Sequence, residues 1–304
     1  MANLHEIQRR MSSIKSTMQI TRTMSMISTA RVRRALDRAE EAMPYKEAIT
    51  RMLANVASAG FDSTQPLLNT HTEVKHVLYL VVASDRGLAG GFNILLERQT
   101  ERDMEKLKAK GISSSVITCG RKPTEYFAFR NINPVMSFVG ISSEPTPDEA
   151  DRIASYIMDG YAAGRIDRVI IRYWHAKNRV DQMQVSEQLL PVSEEELTMP
   201  NRPRDNEALS SVERIAHLSY LFTPSAGEVL SYLMPAYIRT VIYHALLDSA
   251  AAEHGARRRA MQSATDNAEG VLSSLSRTYN RERQGAITTE LNEIIGGAAA
   301  LEDK

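Results

Sequence analysis

The first twenty residues, MANLHEIQRRMSSIKSTMQI (1–20), decide the fold, because their apolar side chains recur at alternating spacings of three and four. This stripe is narrow, which is typical of a coiled-coil seam rather than of the broader apolar face of a globular helix. It consists of Leu4, Ile7, Met11, Ile14 and Met18. No proline precedes Pro44, so the predicted helix is at least roughly 60 Å long. A helix of this length needs a partner along its seam.

The carboxy-terminal residues repeat the same spacing, and no proline follows Pro235, so a second helix of roughly 100 Å is predicted there. It starts near Pro224 and Ser225, where the sequence Ser-Ala-Gly-Glu (225–228) resembles a capping box. Pro235 is expected to kink this helix or to mark a junction between two helices. The apolar residues of the second seam are Ile287, Leu291, Ile294, Ala298 and Leu301. We expect the two seams to bury each other in a long antiparallel α-helical coiled coil.

Past Met18 the first seam becomes small and polar, and its later members are Thr21, Ser25, Ser28, Val32, Ala35, Ala39 and Ala42. Small residues bury little apolar area, so another surface is expected to surround this section. Methionines and arginines are concentrated beside it, namely Met18, Met24, Met26, Arg31, Arg33, Arg34 and 257–259. Two interpretations stay open: a sliding contact with a partner, or coiled-coil core for the methionines and a solvated face for the arginines.

The composition excludes several classes of protein. Basic and acidic residues number 37 each, and this balance argues against nucleic acid as the main partner. Cys119 is the only cysteine, so no intramolecular disulfide is possible, and a reducing compartment with a buried thiol is expected. The chain has no apolar run of membrane-spanning length and no secretory signal, which predicts a cytoplasmic protein and leaves a role at a membrane surface open.

Between the long helices, strands and helices alternate. The first strand is the β-branched run VKHVLYLVVA (74–83), and the alternation predicts a mostly parallel, Rossmann-like α/β sheet. Further strands are expected at 115–119, 135–139, 168–174 and 182–190, and helices at 93–110, 123–130 and 146–163. The last strand follows a short turn closely enough to form one antiparallel edge. The predicted divisions are a helix at 1–60, a central domain at 70–192, a linker at 193–224 and a helix at 225–304.

The turn SDRGLAGGFN (84–93) stands where a strand passes into a helix, the place where α/β folds bind phosphate. No Gly-Lys-Ser/Thr follows and the spacing is not G-x-G-x-x-G, so the sequence favours a tight glycine turn with Asn93 as the helix cap. The alternative is a nucleotide site in a stand-alone α/β enzyme that its long helices oligomerise. His244 and His254 are ten residues apart on one helix, which does not suit a metal site. We therefore predict no catalytic, cofactor or metal site.

Three segments together resemble the gamma-subunit family of F-type ATP synthases. They are MANLHEIQRRMSSIKSTMQITRTMSMIS (1–28), SDRGLAGGFN (84–93) and ATDNAEGVLSSLSRTYNRERQGAITTELNEIIGGAAAL (264–301). The resemblance extends in order over essentially the whole chain. It implies that the terminal helices form a coiled coil inside a hexamer of alpha and beta subunits. The middle domain would then lie near the epsilon subunit and a membrane ring of c subunits.

By the same resemblance, Arg283, Gln284 and Thr288 match positions that meet a loop of the beta subunits and contribute to torque coupling. Met24 matches a methionine near a lower beta-subunit contact. Tyr220 matches a tyrosine in the foot that touches the c ring. These roles are implied by the family and were not deduced from spacing.

The chain departs from the family pattern at two positions. Ala89 stands where the turn commonly has cysteine, which is expected to be neutral because the glycines set the turn. Thr223 stands where some members carry an acidic foot residue, which puts that c-ring contact in doubt. The absence of the regulatory cysteine pair of the chloroplast form points to a bacterial complex.

The implied function is that of a non-catalytic rotor shaft. It would couple proton-driven rotation of the c ring to ATP synthesis in the alpha/beta hexamer. The c ring would hold the chain as a peripheral protein at the cytoplasmic face of a bacterial inner membrane. A further alternative is a coiled-coil scaffold that clamps other proteins without turning.

Overall fold

The computed structural model describes residues 2–58, 66–68, 70–71, 73–178, 181–192, 223 and 225–302. The chain folds into two compact units: one is Met1–Thr29 with Arg257–Lys304, and the other is Ala30–Ala256. Two long terminal helices, α1 (Ala2–Ser58) and α5 (Ala226–Glu302), each contribute residues to both units. Most of the predicted linker at 193–224 lies outside the described residues.

The unit Ala30–Ala256 contains a five-stranded sheet with three further helices. Its strands are β1 (His76–Val82), β2 (Ser113–Cys119), β3 (Met136–Phe138), β4 (Arg168–Ala176) and β5 (Gln182–Leu190). The intervening helices are α2 (Phe92–Ala109), α3 (Arg121–Phe129) and α4 (Pro147–Ala162). The strand order is β3-β2-β1-β4-β5; the first four strands are parallel, and β5 pairs antiparallel with β4. The predicted mostly parallel sheet with one antiparallel edge is confirmed.

The central strand β1 is buried along nearly its whole length, which explains its continuous apolar sequence. Leu78 and Leu80 belong to one core, which they share with α4 and α5. Tyr79 and Val81 point to the opposite face, into a second core with α2 and α3. Cys119 of β2 is buried, as predicted, and burial raises the pKa of its thiol.

The seam predicted for α1 is confirmed by its burial. Every seam position from Leu4 to Ala42 is buried or half-buried, and most residues between these positions are exposed. In the unit Met1–Thr29 with Arg257–Lys304, the Oγ1 atoms of Thr21 and Thr265 lie 2.8 Å apart, so α1 and α5 pair there. In the unit Ala30–Ala256, Ala35 packs in one cluster with the alanines of α5. Small side chains at these positions let the two helix backbones approach closely.

The start of α5 follows the expected capping pattern. Ser225 Oγ accepts a hydrogen bond from Glu228 N at 3.2 Å. Pro235 lies inside α5, which continues through it, so the predicted alternative of a junction between two helices is wrong. An internal proline loses one backbone hydrogen bond, but Met234 and Ile238 on either side are fully buried in the core and hold the helix there.

Candidate functional site

The carboxy-terminal end of α5 extends beyond the start of α1. Thr21 and Thr265 fix the register in their unit. Because the helices are antiparallel and rise equally per residue, the nineteen residues from Thr21 back to Ala2 match the nineteen from Thr265 to Gln284. Helix α5 ends only at Glu302. Residues 285–302 therefore have no partner from the described part of α1, and we call this segment the free tip.

Large apolar side chains of the free tip are exposed. They are Ile287, Leu291, Ile294 and Ile295, with exposed fractions of 46%, 52%, 62% and 65%. By contrast, Ile7 in the paired part of α1 is 8% exposed. The prediction that this end of the second seam buries against α1 is therefore wrong, because the described part of α1 reaches only as far as Gln284 in this register. Ala298 is also exposed, and the side chain of Leu301 lies outside the described residues.

Three of the residues matched by resemblance stand at the base of the free tip. Arg283, Gln284 and Thr288 are all exposed. Thr288 Oγ1 donates a hydrogen bond to Gln284 O at 2.9 Å, so these two residues lie one turn apart on the same face. Met24 on α1 is half-buried, and Tyr220 lies outside the described residues. The contacts predicted for all five with partner subunits stay predictions.

The methionine and arginine surface is only partly outward. Met26 is exposed whereas Met18 is half-buried, and the arginines at 31, 33 and 34 are exposed. Arg257 is only 7% exposed, so the interpretation of 257–259 as an outward arginine run is wrong for its first member. Consecutive helical residues point about 100° apart, so three in a row do not share one face.

The turn 84–93 is organised by the carboxylate of Asp85. Asp85 Oδ1 accepts hydrogen bonds from Arg121 N at 2.9 Å and Gly140 N at 2.8 Å, and Oδ2 accepts one from Ser142 N at 3.1 Å. These amides follow β2 and β3, so Asp85 ties together the carboxyl ends of three neighbouring strands. Burial alone would raise the pKa of Asp85, but the hydrogen bonds from Gly140, Ser142 and Arg121 outweigh it and lower the pKa.

The chain's own carboxylate thus occupies the edge of the sheet where phosphate would bind. In nucleotide-binding α/β folds, backbone N–H groups at this edge hold the phosphate. Here the amides of Arg121, Gly140 and Ser142 donate to Asp85 instead. A phosphate placed beside that carboxylate would also meet a like charge. This geometry disfavours the alternative of a nucleotide site in the turn.

Asn93 does not cap α2, and that prediction is wrong. Helix α2 begins at Phe92 with Gly91 at the cap position, so Asn93 already lies in its first turn. Asn93 Oδ1 accepts a hydrogen bond from Ser84 N at 3.0 Å and lies 2.9 Å from Ser84 Oγ. Asn93 thereby ties the first turn of α2 to the end of β1. Gly90 has a φ of 61°, as a tight glycine turn requires.

The described residues contain no group of three or more His, Cys, Asp or Glu side chains placed to hold a metal ion. His244 and His254 are both buried along α5, at 4% and 3% exposure. Within the same described ranges, no helix is long and apolar enough to cross a membrane.

Sequence reasoning missed a pair of buried polar side chains on α5. Asp248 and Ser249 are 3% and 2% exposed. Asp248 Oδ1 accepts a hydrogen bond from Ala176 N at 2.9 Å, and its Oδ2 contacts His175 Nδ1. The available signal was two polar residues in an alanine-rich stretch. Such a signal indicates an unusual position but does not identify partners about seventy residues away.

Known proteins match this chain over nearly its whole length. A family model described as ATP synthase matches residues 3–301. The chain is 38% identical over 301 residues to the ATP synthase gamma chain of Symbiobacterium thermophilum, and the match covers 99% of both chains. It is 39% identical over 302 residues to the ATP synthase gamma chain of Pelotomaculum thermopropionicum, covering 99% of this chain and 100% of the relative.

Solved structures share the fold. A chain of the Euglena gracilis mitochondrial ATP synthase assembly of OSCP, F1 and c-ring matches with a TM-score of 0.65 at 17% identity, covering 99% of this chain and 95% of the other. A chain of the Tetrahymena thermophila mitochondrial ATP synthase central stalk and c-ring matches with a TM-score of 0.57 at 23% identity, covering 81% and 99%. Given the family match over residues 3–301 and the full-length bacterial relatives, the chain belongs to the ATP synthase gamma chain family.

Proposed function

We propose that this gamma chain is the central rotor shaft of an F-type ATP synthase and has no catalytic site of its own. The free tip is the observation that carries this proposal. Ile294 and Ile295 are more than 60% exposed, on a segment that the described part of α1 does not reach. Adjacent exposed apolar side chains indicate a surface that another protein covers. The catalytic hexamer of alpha and beta subunits is the proposed cover, in keeping with the name of the relatives.

A single helix inside a ring of similar subunits presents a different face to each of them. At the base of the free tip, Gln284 and Thr288 lie on one face of α5, and Arg283 and Ile287 lie on the neighbouring face. Each beta subunit therefore meets a different set of groups at any one moment. Rotation exchanges these sets, and their differential binding shifts each catalytic site among its nucleotide-binding states. Proton flow through the c ring would drive this rotation during synthesis, and hydrolysis would reverse it.

The finer contacts are part of the same proposal. Arg283, Gln284 and Thr288 are assigned to a loop of the beta subunits, and Met24 to a lower contact with a beta subunit. Tyr220 is assigned to the c ring, and the central domain to the neighbourhood of the epsilon subunit. The chain would be peripheral at the cytoplasmic face of a bacterial inner membrane. The division into 1–60, 70–192, 193–224 and 225–304 is retained as the functional layout of this shaft.

The first test is ATP hydrolysis by purified alpha and beta subunits, assembled with and without this chain. We expect steady turnover only with the chain present, and none from the chain alone. Activity of the isolated chain would support the stand-alone enzyme instead. Failure of the chain to enter the complex would remove the shaft from consideration.

The assigned tip contact is tested by the double substitution Arg283→Ala with Gln284→Ala. ATP synthesis in membrane vesicles is expected to fall while the central domain stays folded, as judged by its unfolding transition. Arg277→Ala is the matched control, because Arg277 is exposed on the same helix but lies well before the base of the free tip, where Arg283 and Gln284 stand. If the double variant and the control synthesise ATP at the same rate, the contact is wrongly assigned.

Cross-linking separates a shaft from a static scaffold. A disulfide between a cysteine introduced in the free tip and one in a beta subunit would stop turnover if the chain must rotate. Reduction of that disulfide should restore turnover. A scaffold that only clamps its partners would keep its activity in the cross-linked state.

A further inference from the structure

Helix α5 is buried on all sides where it passes the sheet, within the unit Ala30–Ala256. Every residue from 244 to 256 is buried. Most of these residues are alanine or aliphatic, and they pack by shape alone. Asp248 and Ser249 are two of the buried polar residues in this stretch, and both form hydrogen bonds at the carboxyl ends of the central strands.

Three strands contribute to this contact. Asp248 Oδ1 accepts a hydrogen bond from the amide of Ala176, the last residue of β4, and Asp248 Oδ2 contacts His175 Nδ1. Ser249 Oγ donates to the carbonyl of Val82, the last residue of β1, at 3.4 Å. The side chain of the first residue of β5, Gln182, donates through Nε2 to the carbonyl of Ala252. We call this set of contacts the polar clasp.

Gly255 adds a second, steric observation. A Cβ at position 255 would overlap Gln182 Nε2, so the Gln182 side chain lies directly against the α5 backbone. Elsewhere on the same helix, a Cβ at Gly270 would meet nothing within 4 Å. The glycine at 255 therefore serves the approach of β5, whereas the glycine at 270 has no such role.

Apolar packing and hydrogen bonding resist different motions. An alanine-lined contact holds two elements together but has a weak preference for one axial position or one rotation, because its energy varies little with small sliding. A hydrogen bond to a buried carboxylate is directional, and breaking it leaves a buried group without a partner. The clasp therefore fixes the position and rotation of α5 against the sheet more strongly than the alanines do.

We propose that the polar clasp is the joint through which torque passes between the five-stranded sheet and helix α5, with Asp248 as its central positioning residue. This inference rests on the proposed rotor function, because a shaft transmits torque only if its helix does not slip in the domain that is turned. Asp248 holds two successive residues of β4, and Ser249 and Gln182 hold β1 and β5. Slip about the helix axis would have to break all three connections together.

The test compares ATP hydrolysis with ATP-driven proton pumping in vesicles that carry the whole complex. For Asp248→Ala we expect hydrolysis by the soluble complex to be retained and proton pumping per ATP to be lost. Asp248→Asn keeps an oxygen acceptor for the Ala176 amide and should restore much of the pumping. A role in stability alone would lower both activities together, through the amount of assembled complex.

Gly255→Ala provides an independent variant, because the added methyl group displaces the Gln182 amide without touching the core. It should lower proton pumping per ATP, whereas the matched control Gly270→Ala should not. If Asp248→Ala fails to assemble, Gly255→Ala decides the question. Full proton pumping per ATP by Gly255→Ala overturns the clasp proposal. The loss of chain-dependent turnover in the unaltered complex would instead contradict the rotor function itself.

Discussion

The carboxyl of Glu97 allows a quantitative test of how the burial of a titratable group makes the stability of the unit Ala30–Ala256 depend on pH. This carboxyl is 3% exposed on α2, and its Oε1 has no hydrogen-bond partner among the described residues. Burial raises the pKa of Glu97 from 4.5 to about 7, with the charge of Lys122 opposing the rise. A carboxyl with such a pKa is largely protonated in the folded chain at pH 6 and ionised in the unfolded chain.

The sign and the size of the effect follow from proton linkage. The folded state binds the Glu97 proton more tightly than the unfolded state does. The stability contributed by this proton is therefore fully present below pH 4.5 and is lost as the pH rises to about 7. At 1.36 kcal/mol per pKa unit, the loss is on the order of 3 kcal/mol. For a domain of 150–250 residues, this corresponds to a shift of roughly 6–12 °C in Tm.

The assay is urea and thermal unfolding of the full chain at pH 5 and pH 8.5 for the native sequence and Glu97→Gln. At pH 5 the two chains should differ by less than about 1 kcal/mol, because the Glu97 carboxyl is still protonated in the folded chain and is then neutral, like the amide. At pH 8.5 the variant should be the more stable by the amount given above. Glu105→Gln is the control, since Glu105 is exposed on the same helix. A constant difference between native chain and variant at the two pH values would refute the reasoning.

Two further predictions concern the turn and the sheet edge. Asp85→Ala leaves the amides of Arg121, Gly140 and Ser142 without their acceptor, so we expect a loss of about 2–4 kcal/mol in urea unfolding. Millimolar inorganic phosphate should raise the Tm of that variant and not of the native chain. An equal effect on the two chains would count against the conclusion that the Asp85 carboxylate occupies an anion site. Gly120→Ala should lower the free energy of unfolding by at least about 2 kcal/mol. The φ of Gly120 is 113°, and the new Cβ would lie 2.8 Å from the carbonyl oxygens of Ala83 and Ser84. Gly111→Ala should lower the free energy of unfolding by less, because its new Cβ would meet nothing within 4 Å. Equal losses in the two variants would show that the contact of the Gly120 Cβ with the carbonyls is unimportant.

Periodicity predicted the elements of this chain well because it reflects what each element must bury. The stripe from Leu4 to Met18 and its small continuation are buried or half-buried as expected, and the apolar run of β1 is a central strand. The same logic failed at Ile287 and Leu291, which keep the seam spacing but are exposed, because the described part of α1 does not extend opposite them. An apolar stripe states that a helix needs a partner, but it does not state which chain supplies that partner.

The wrong prediction at Asn93 and the missed contacts of Asp248 share another cause. Asn93 is a residue type that caps helices, yet its oxygen is taken by Ser84 nine positions earlier in the sequence. Asp248 gave only a weak sequence signal, because its partners at 175 and 176 meet it through tertiary folding. Local propensity describes what a side chain can bond to. The tertiary fold decides which partner lies within hydrogen-bond distance.

The burial of Cys119 makes this chain suitable for single-site labelling. It is the only cysteine, it is 1% exposed, and burial raises the pKa of its thiol, so the reactive thiolate is both inaccessible and disfavoured. A cysteine introduced at an exposed position of the free tip would therefore be the one thiol that maleimide dyes reach in the folded chain. A fluorophore attached there would report the angular position of α5 during turnover, and the native cysteine would not first have to be replaced.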